Sequence, residues 1–306
     1  MDTSRLPQRM RERAESVARG ETAWTVPVPR DAATVCVLRD GADGLEVFLM
    51  RRTSSMAFAA GMHVYPGGAV EASDSHVPIA GRADLGVVAA RTFSDDPRAM
   101  LVAAARETFE ECGVLLAVDA TGTTAAVDAD LEAERAALDA GGVTFASILE
   151  RRGLVVDDAA IVPFAHWVTP EVEDRRYDTR FFMTAQPAGQ QAAYIAGESD
   201  RSAWWRPADA LAASADGRMA MLPPTVATLA LLTSYADAAS ALAAAAAVEI
   251  APILPAPYLE ADGSVSWHLL HDRTREVLRL GGEPTASETD GVSTEPRGPE
   301  PRGPES

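Results

Sequence analysis

Residues 106–113 read Arg-Glu-Thr-Phe-Glu-Glu-Cys-Gly and close a stretch with the pattern of a helix. On a helix Glu107, Glu110 and Glu111 are related by i, i+3 and i+4, so their carboxylates share one face. Three like charges this close repel unless a cation sits among them. The other side of the segment (Leu101, Ala104, Ala105, Thr108, Phe109, Cys112) is apolar or small and suits packing on a sheet. One face therefore has to be buried and the other has to meet positive charge. Clustered hard oxygen ligands suit Mg²⁺ or Mn²⁺, and such an ion suits a phosphorus substrate whose oxygens it can polarise. The plainer alternative is a solvated helix face on which Arg106 pairs with Glu110.

Charge and composition narrow the chemistry. The 306 residues carry a formal net charge of −18, and 47% are hydrophobic, enough for a real core. So acidic a surface repels a phosphate backbone and argues against nucleic-acid partners. A small phosphorylated substrate remains compatible, because a metal ion reverses the local sign. Every basic residue is Arg and none is Lys, which excludes Schiff-base chemistry and a P-loop lysine. Cys36 and Cys112 are too few for a disulfide scaffold or a four-ligand zinc site, so a reduced, cytoplasmic protein is expected. The apolar stretch from Thr225 to Val248 is mostly Ala, contains Asp237 and lacks flanking basic residues. A packed helix is expected there rather than a membrane span.

Along the chain, residues 1–30 read as a polar arm with a short helix. Ala32 to Leu38 and Leu45 to Met50 read as strands joined by the Asp40–Gly44 turn. A short strand from Met62 to Tyr65 ends in Pro66-Gly67-Gly68, where the backbone can bend tightly or approach a ligand. Residues 72–96 read as irregular. Asp96-Pro97 is a strong helix start and Gly113 a natural stop. Residues 119–158 read as an inserted helical segment, with helices over Leu131 to Leu138 and Phe145 to Arg151. Strands are expected at Ile161 to Val168, Tyr177 to Ala185 and Ser266 to Leu270, with a helix from Pro207 and an Ala-rich helix after Pro223-Pro224. Residues 281–306 are Gly, Pro, Ser, Thr and Glu rich and are expected to be a disordered tail.

The Arg-Glu-x-x-Glu-Glu-x-Gly run resembles the second half of the Nudix box. Gly68 with Asp74 six residues on resembles its first half. Residues 75–105 separate the halves, far more than the uninterrupted box allows. Such a split box is similar to that of the Nudix branch that includes the peroxisomal coenzyme A diphosphatases. The segments Phe48–Arg52 through Met56, Phe58 and Gly61 to Gly68, His166–Pro170 and Arg175–Phe182 are similar to that branch too. Asp74 replaces the usual first Glu, and Thr108 stands where an aliphatic residue is usual.

The resemblance implies an α/β (α+β) fold: a Nudix-type α/β/α sandwich with a mixed sheet, over about residues 31–280. It implies a metal-dependent diphosphohydrolase of coenzyme A or an acyl-coenzyme A. Another nucleoside diphosphate derivative, such as a nucleotide sugar or dinucleotide, and a non-enzymatic Nudix-like binding module are the rivals. Carried over by position, Glu107, Glu110, Glu111 and the backbone carbonyl of Gly68 would hold Mg²⁺ or Mn²⁺. Arg106 would orient a glutamate. Glu198 is the candidate for a further acid, ahead of Asp200. Arg51, Arg52 and Arg180 are the substrate-phosphate candidates. For these, as for Arg175 and Arg176, surface ion pairing is an equal alternative. The expected partner is a small-molecule diphosphate, with no nucleic acid or membrane, and a homodimer is left open. His63 and His166 are expected to be structural, and Cys112 a buried inert thiol.

Overall fold

The computed structural model describes residues 8–21, 24–53, 59–193, 199–271 and 278–279. The elements in chain order are α1 (Gln8–Ala18), β1 (Arg30–Gly41), β2 (Gly44–Arg52), β3 (His63–Val64), β4 (Gly67–Ala69), α2 (Leu85–Thr92) and α3 (Pro97–Cys112). There follow β5 (Ala117–Val118), α4 (Ala129–Asp139), α5 (Phe145–Arg152), β6 (Val155–Val156), β7 (Val162–Val168), β8 (Tyr177–Ala185) and β9 (Ser199–Trp205). The last are α6 (Pro207–Ala215), α7 (Pro223–Leu232), α8 (Ala238–Ala247), β10 (Pro252–Leu259), β11 (Val265–His271) and β12 (Leu278–Arg279).

The large sheet runs β12-β11-β10-β7-β8-β1-β2-β3, with β4 on β1 and β9 on β2. It is mixed: β1 is parallel to β8 and β10 to β7, while the other pairs are antiparallel. β1 is the organising strand. Its first half pairs with β4 through Ala33 and Gly68, and its second half with β2 through Leu38 and Val47. The glycine bend is thereby held against the centre of the sheet.

Alternation along β1 sends Ala33, Val35 and Val37 into one core, with α3, α4 and α5. Cys36 and Leu38 go into the other, with α6, α7 and α8. This is the expected α/β/α sandwich, with helices on both faces. Trp204 and Trp205 split between the two cores in the same way.

Several elements differ from the sequence reading. Residues 72–96 contain a helix, α2, capped by the Asp84 carboxylate accepting from Gly86 N and Val87 N. Its Gly and two β-branched Val hid the pattern. The Ala-rich stretch is two helices, because Asp237 forms a capping box with Ser240 and starts α8. The N-terminal arm packs Ala14 with Val172 and Trp267. The strand expected at Ser266 to Leu270 is β11, and it forms a hairpin with β10, a proline-rich strand outside the sequence reading. The expected tail, 281–306, lies outside the described residues. No helix among the described residues is long and apolar enough to cross a membrane.

The helix α3 is buried over most of its circumference, not on one side only. Residues from Ala99 to Arg106, together with Thr108, Phe109 and Cys112, are all buried. The helices α4 and α5 supply the second wall: Leu131, Phe145, Ile148 and Leu149 pack into the core that contains Phe109. Arg135 of α4 is 2% exposed. Its Nε donates to the Glu110 carbonyl at 3.0 Å and its Nη2 to the Ala193 carbonyl at 2.9 Å. Gly113 ends α3 at φ +73°, and a Cβ there would stand 2.6 Å from Arg135 Nη1. We therefore expect Gly113→Ala to lower unfolding free energy by about 2 kcal/mol. Urea denaturation is the measurement, and an unchanged midpoint would show that the turn tolerates a side chain.

Candidate active site

The site is built where α3 faces the bend at β4. The Asp96 carboxylate accepts from Ala99 N at 2.9 Å and starts the helix beside Pro97, which needs no amide partner. Three turns on, Arg106 is 5% exposed and carries the densest polar network described in the chain. Its Nε and Nη2 donate to the two oxygens of Asp74 at 2.9 and 3.0 Å. Nη2 also donates to the Ala69 carbonyl at 2.9 Å, and Nη1 donates to Glu107 at 2.7 Å and Glu110 at 3.2 Å. Burial would lower the guanidinium's affinity for its proton, but the Asp74 bond and the neighbouring carboxylates outweigh it and hold the group charged.

The bend comes close enough to touch the glutamates. Gly67 N donates to Glu111 Oε2 at 2.7 Å. A Cβ at Gly68 would stand 2.4 Å from Glu107 Oε1, and one at Gly67 would stand 2.4 Å from the Ala33 carbonyl. Only glycine fits between β1 and the acidic helix. Sequence and structure meet here: Glu107, Glu110, Glu111, Arg106 and Gly68 lie together.

The charge of this cluster is not balanced by protein alone. Arg106 is ion-paired with three carboxylates, those of Asp74, Glu107 and Glu110. Burial, and then the charge of Glu107, push Glu110 up to about 7. A hard divalent cation would relieve that strain, and the donors are the oxygen ligands such an ion prefers. The residues therefore fit a divalent ion in kind and in charge. They are not arranged as a ready cage: among the described residues no group of three acidic, imidazole or thiol side chains is placed to hold an ion. Glu111 is turned onto Gly67 N, and Glu107 and Glu110 onto Arg106.

The other expected residues separate. Arg180 is corrected: it is 4% exposed and internal. Its Nε donates to the Thr92 carbonyl at 2.7 Å and Nη2 to the Phe93 carbonyl at 3.2 Å, while Nη1 pairs with Asp31 at 2.6 Å and Asp178 at 3.0 Å. It braces α2 against the sheet, and its guanidinium is committed to these internal partners. Arg176 is also buried, with its Nε and Nη1 donating to the Thr169 and Pro27 carbonyls. Arg51 and Arg52 lie at the end of β2, where the ladder to β9 shifts register. Arg52 lines a cavity of about 600 Å³ that also borders Gly67 and Gly68. Glu198 lies outside the described residues. Its flanks are placed: Ala193 N donates to the Cys112 carbonyl at the end of α3, and Ser199 pairs with Arg52.

Asp74 is the residue whose role the sequence did not reveal. Its position in the split box was visible, but its function as the anchor of Arg106 needs the fold. His166 is structural, as expected: it is buried and hydrogen-bonded to Asp178. Cys112 is fully buried, with its thiol pushed up to about 12 by that burial.

A family model for the NUDT19 Nudix domain matches residues 89–232. A crystal structure of a Nudix hydrolase from Alicyclobacillus acidocaldarius is 32% identical, with a TM-score of 0.61. The match covers 72% of this chain and 97% of that one. The chain is a Nudix hydrolase. It is also similar to the acyl-coenzyme A diphosphatase NUDT19 of Gallus gallus, 26% identical over 269 residues that cover 68% of this chain and 69% of the relative. The Xenopus laevis protein of the same name is 26% identical over 229 residues, covering 62% of this chain and 60% of that one. As a Nudix hydrolase the chain acts on phosphoanhydride bonds, and the family generally requires divalent metal ions.

Removing the anchor of Arg106 should cost stability, because a buried guanidinium would lose its two-pronged partner. Asp74→Ala is expected to lower unfolding free energy by about 3 kcal/mol. A loss below about 1 kcal/mol in a denaturant titration would remove Asp74 from that role.

Proposed function

We propose that this Nudix hydrolase cleaves the diphosphate of coenzyme A or an acyl-coenzyme A, releasing 3′,5′-ADP and a phosphopantetheine product, with Mg²⁺ or Mn²⁺ as its ion. The observation that carries the chemistry is the contact between Gly68 and the Glu107 carboxylate, which places a glycine bend against an acidic helix face. The substrate is inferred from the two relatives named acyl-coenzyme A diphosphatase.

In this reading Glu107, Glu110, Glu111 and the Gly68 carbonyl hold the ion. Glu198 is the further acid. The ion, when bound, neutralises charge on the diphosphate and lowers the pKa of water. Arg106 holds Glu107 and Glu110 by its ion pairs, and both would turn from it to take the ion. A glutamate of the set takes the proton of the attacking water. The water oxygen forms the new bond to phosphorus, and the bridging P–O bond breaks. Arg52, which lines the neighbouring cavity, and Arg51 beside it in β2 serve as phosphate contacts.

In incubations with coenzyme A, acyl-coenzyme A thioesters, nucleotide sugars and dinucleotides, with each ion, the coenzyme A compounds should give 3′,5′-ADP and the matching phosphopantetheine by mass. Cleavage confined to the other diphosphates would overturn the substrate. Glu110→Gln and Glu111→Gln should each reduce turnover a hundredfold or more, on the order of 3 kcal/mol, with circular dichroism unchanged. Full turnover in both variants would remove the ligand assignment.

A further inference from the structure

The cavity beside the glycine bend has a chemistry of its own. It lies on the face of the sheet opposite α3, roofed by the start of α7 and closed at one end by the C-terminal hairpin β10–β11. Tyr65, Trp167, Phe181, Leu222 and Trp267 give it aromatic and apolar walls. Its volume, about 600 Å³, is that of a small-molecule site. Among its described lining residues only Arg52 and Glu173 carry charge, and they are of opposite sign. A cavity with no net positive charge is a poor host for a phosphorylated nucleoside. It is a good host for an uncharged chain of methylenes and amides.

Two features make this a constructed wall and not a packing gap. Trp267 belongs to the hairpin, beyond the residues that the family model matches. Its outer surface is backed by Ala14 of α1 and by Val172, so the N-terminal helix holds the hairpin in place. The Trp267 indole nitrogen and Arg52 Nε are both buried without a hydrogen-bond partner. Unpaired buried donors are costly, and a shift of either side chain toward the cavity would let an amide carbonyl of a bound chain accept from it.

Resting on the reading of the substrate above, we infer that this cavity receives the acyl-pantetheine arm, with the nucleotide half outside it. The diphosphate then lies at Gly67 and Gly68, which border the cavity on one side and touch the acidic helix on the other. The hairpin and the N-terminal helix thus set acyl-chain selectivity.

The test is calorimetric titration of the intact protein, in metal-free buffer, with S-acyl-pantetheines from acetyl to dodecanoyl and separately with 3′,5′-ADP. Affinity should rise by about fourfold per methylene and then level off when the cavity is full. Leu222→Trp, which narrows the cavity from its roof, should weaken S-octanoyl-pantetheine at least tenfold and leave 3′,5′-ADP unchanged. The wild-type series needs no variant and stands if Leu222→Trp does not fold. Cleavage of coenzyme A together with a flat affinity across the series overturns the inference and leaves the hydrolytic reading standing. Equal weakening of both ligands by Leu222→Trp also overturns it. Failure to cleave any coenzyme A derivative removes both.

Discussion

The buried guanidinium of Arg106 is the interaction on which the site depends. It bridges three parts of the chain that are distant in sequence: Asp74 before the intervening segment, the Ala69 carbonyl of the bend, and the glutamates of its own helix. A lone buried cation is very costly and a paired one is not. Once α3 packs on the sheet, the Arg106 side chain has to find these partners, and finding them brings the bend to the acidic face. The same group explains how carboxylates that repel one another can sit side by side.

Rigidity around this clamp comes from layers. β1 holds the bend through its pairing with β4, the first core holds α3 on the sheet, and α4 and α5 close over the back of α3. Arg135 reaches from α4 to the Glu110 carbonyl, a group the helix end leaves without an intrahelical partner. The helix α4 is therefore part of the support of the glutamate helix. The segment 75–105 that splits the box is anchored likewise: Asp158 accepts from the amides of Arg82 and Ala83, and Asp84 caps α2.

Much of the candidate site was legible because it is local. Helical spacing alone puts Glu107, Glu110 and Glu111 on one face, and Asp96-Pro97 and Gly113 mark the ends of α3. What failed was long-range or depended on competition between signals. Arg180 reads like a surface grip, yet the parallel pairing of β8 with β1 sets it beside Asp31, and α2 presents two carbonyls to it. The strand β10 contains three prolines and was not recognised. It pairs with β7 over only two residues, Pro252 and Ile253, and with β11 along its length.

The sequence by itself determined the acidic helix face, the need for a cation near it and the glycine bend, because these follow from residue spacing and from what a backbone without Cβ can do. The tertiary structure decided which partner each charge has. It turned Glu111 toward Gly67, gave Arg106 to Asp74, took Arg180 into the interior and closed a cavity with a C-terminal tryptophan. Those outcomes depend on distances between segments far apart in the chain, and strand order and helix packing set such distances.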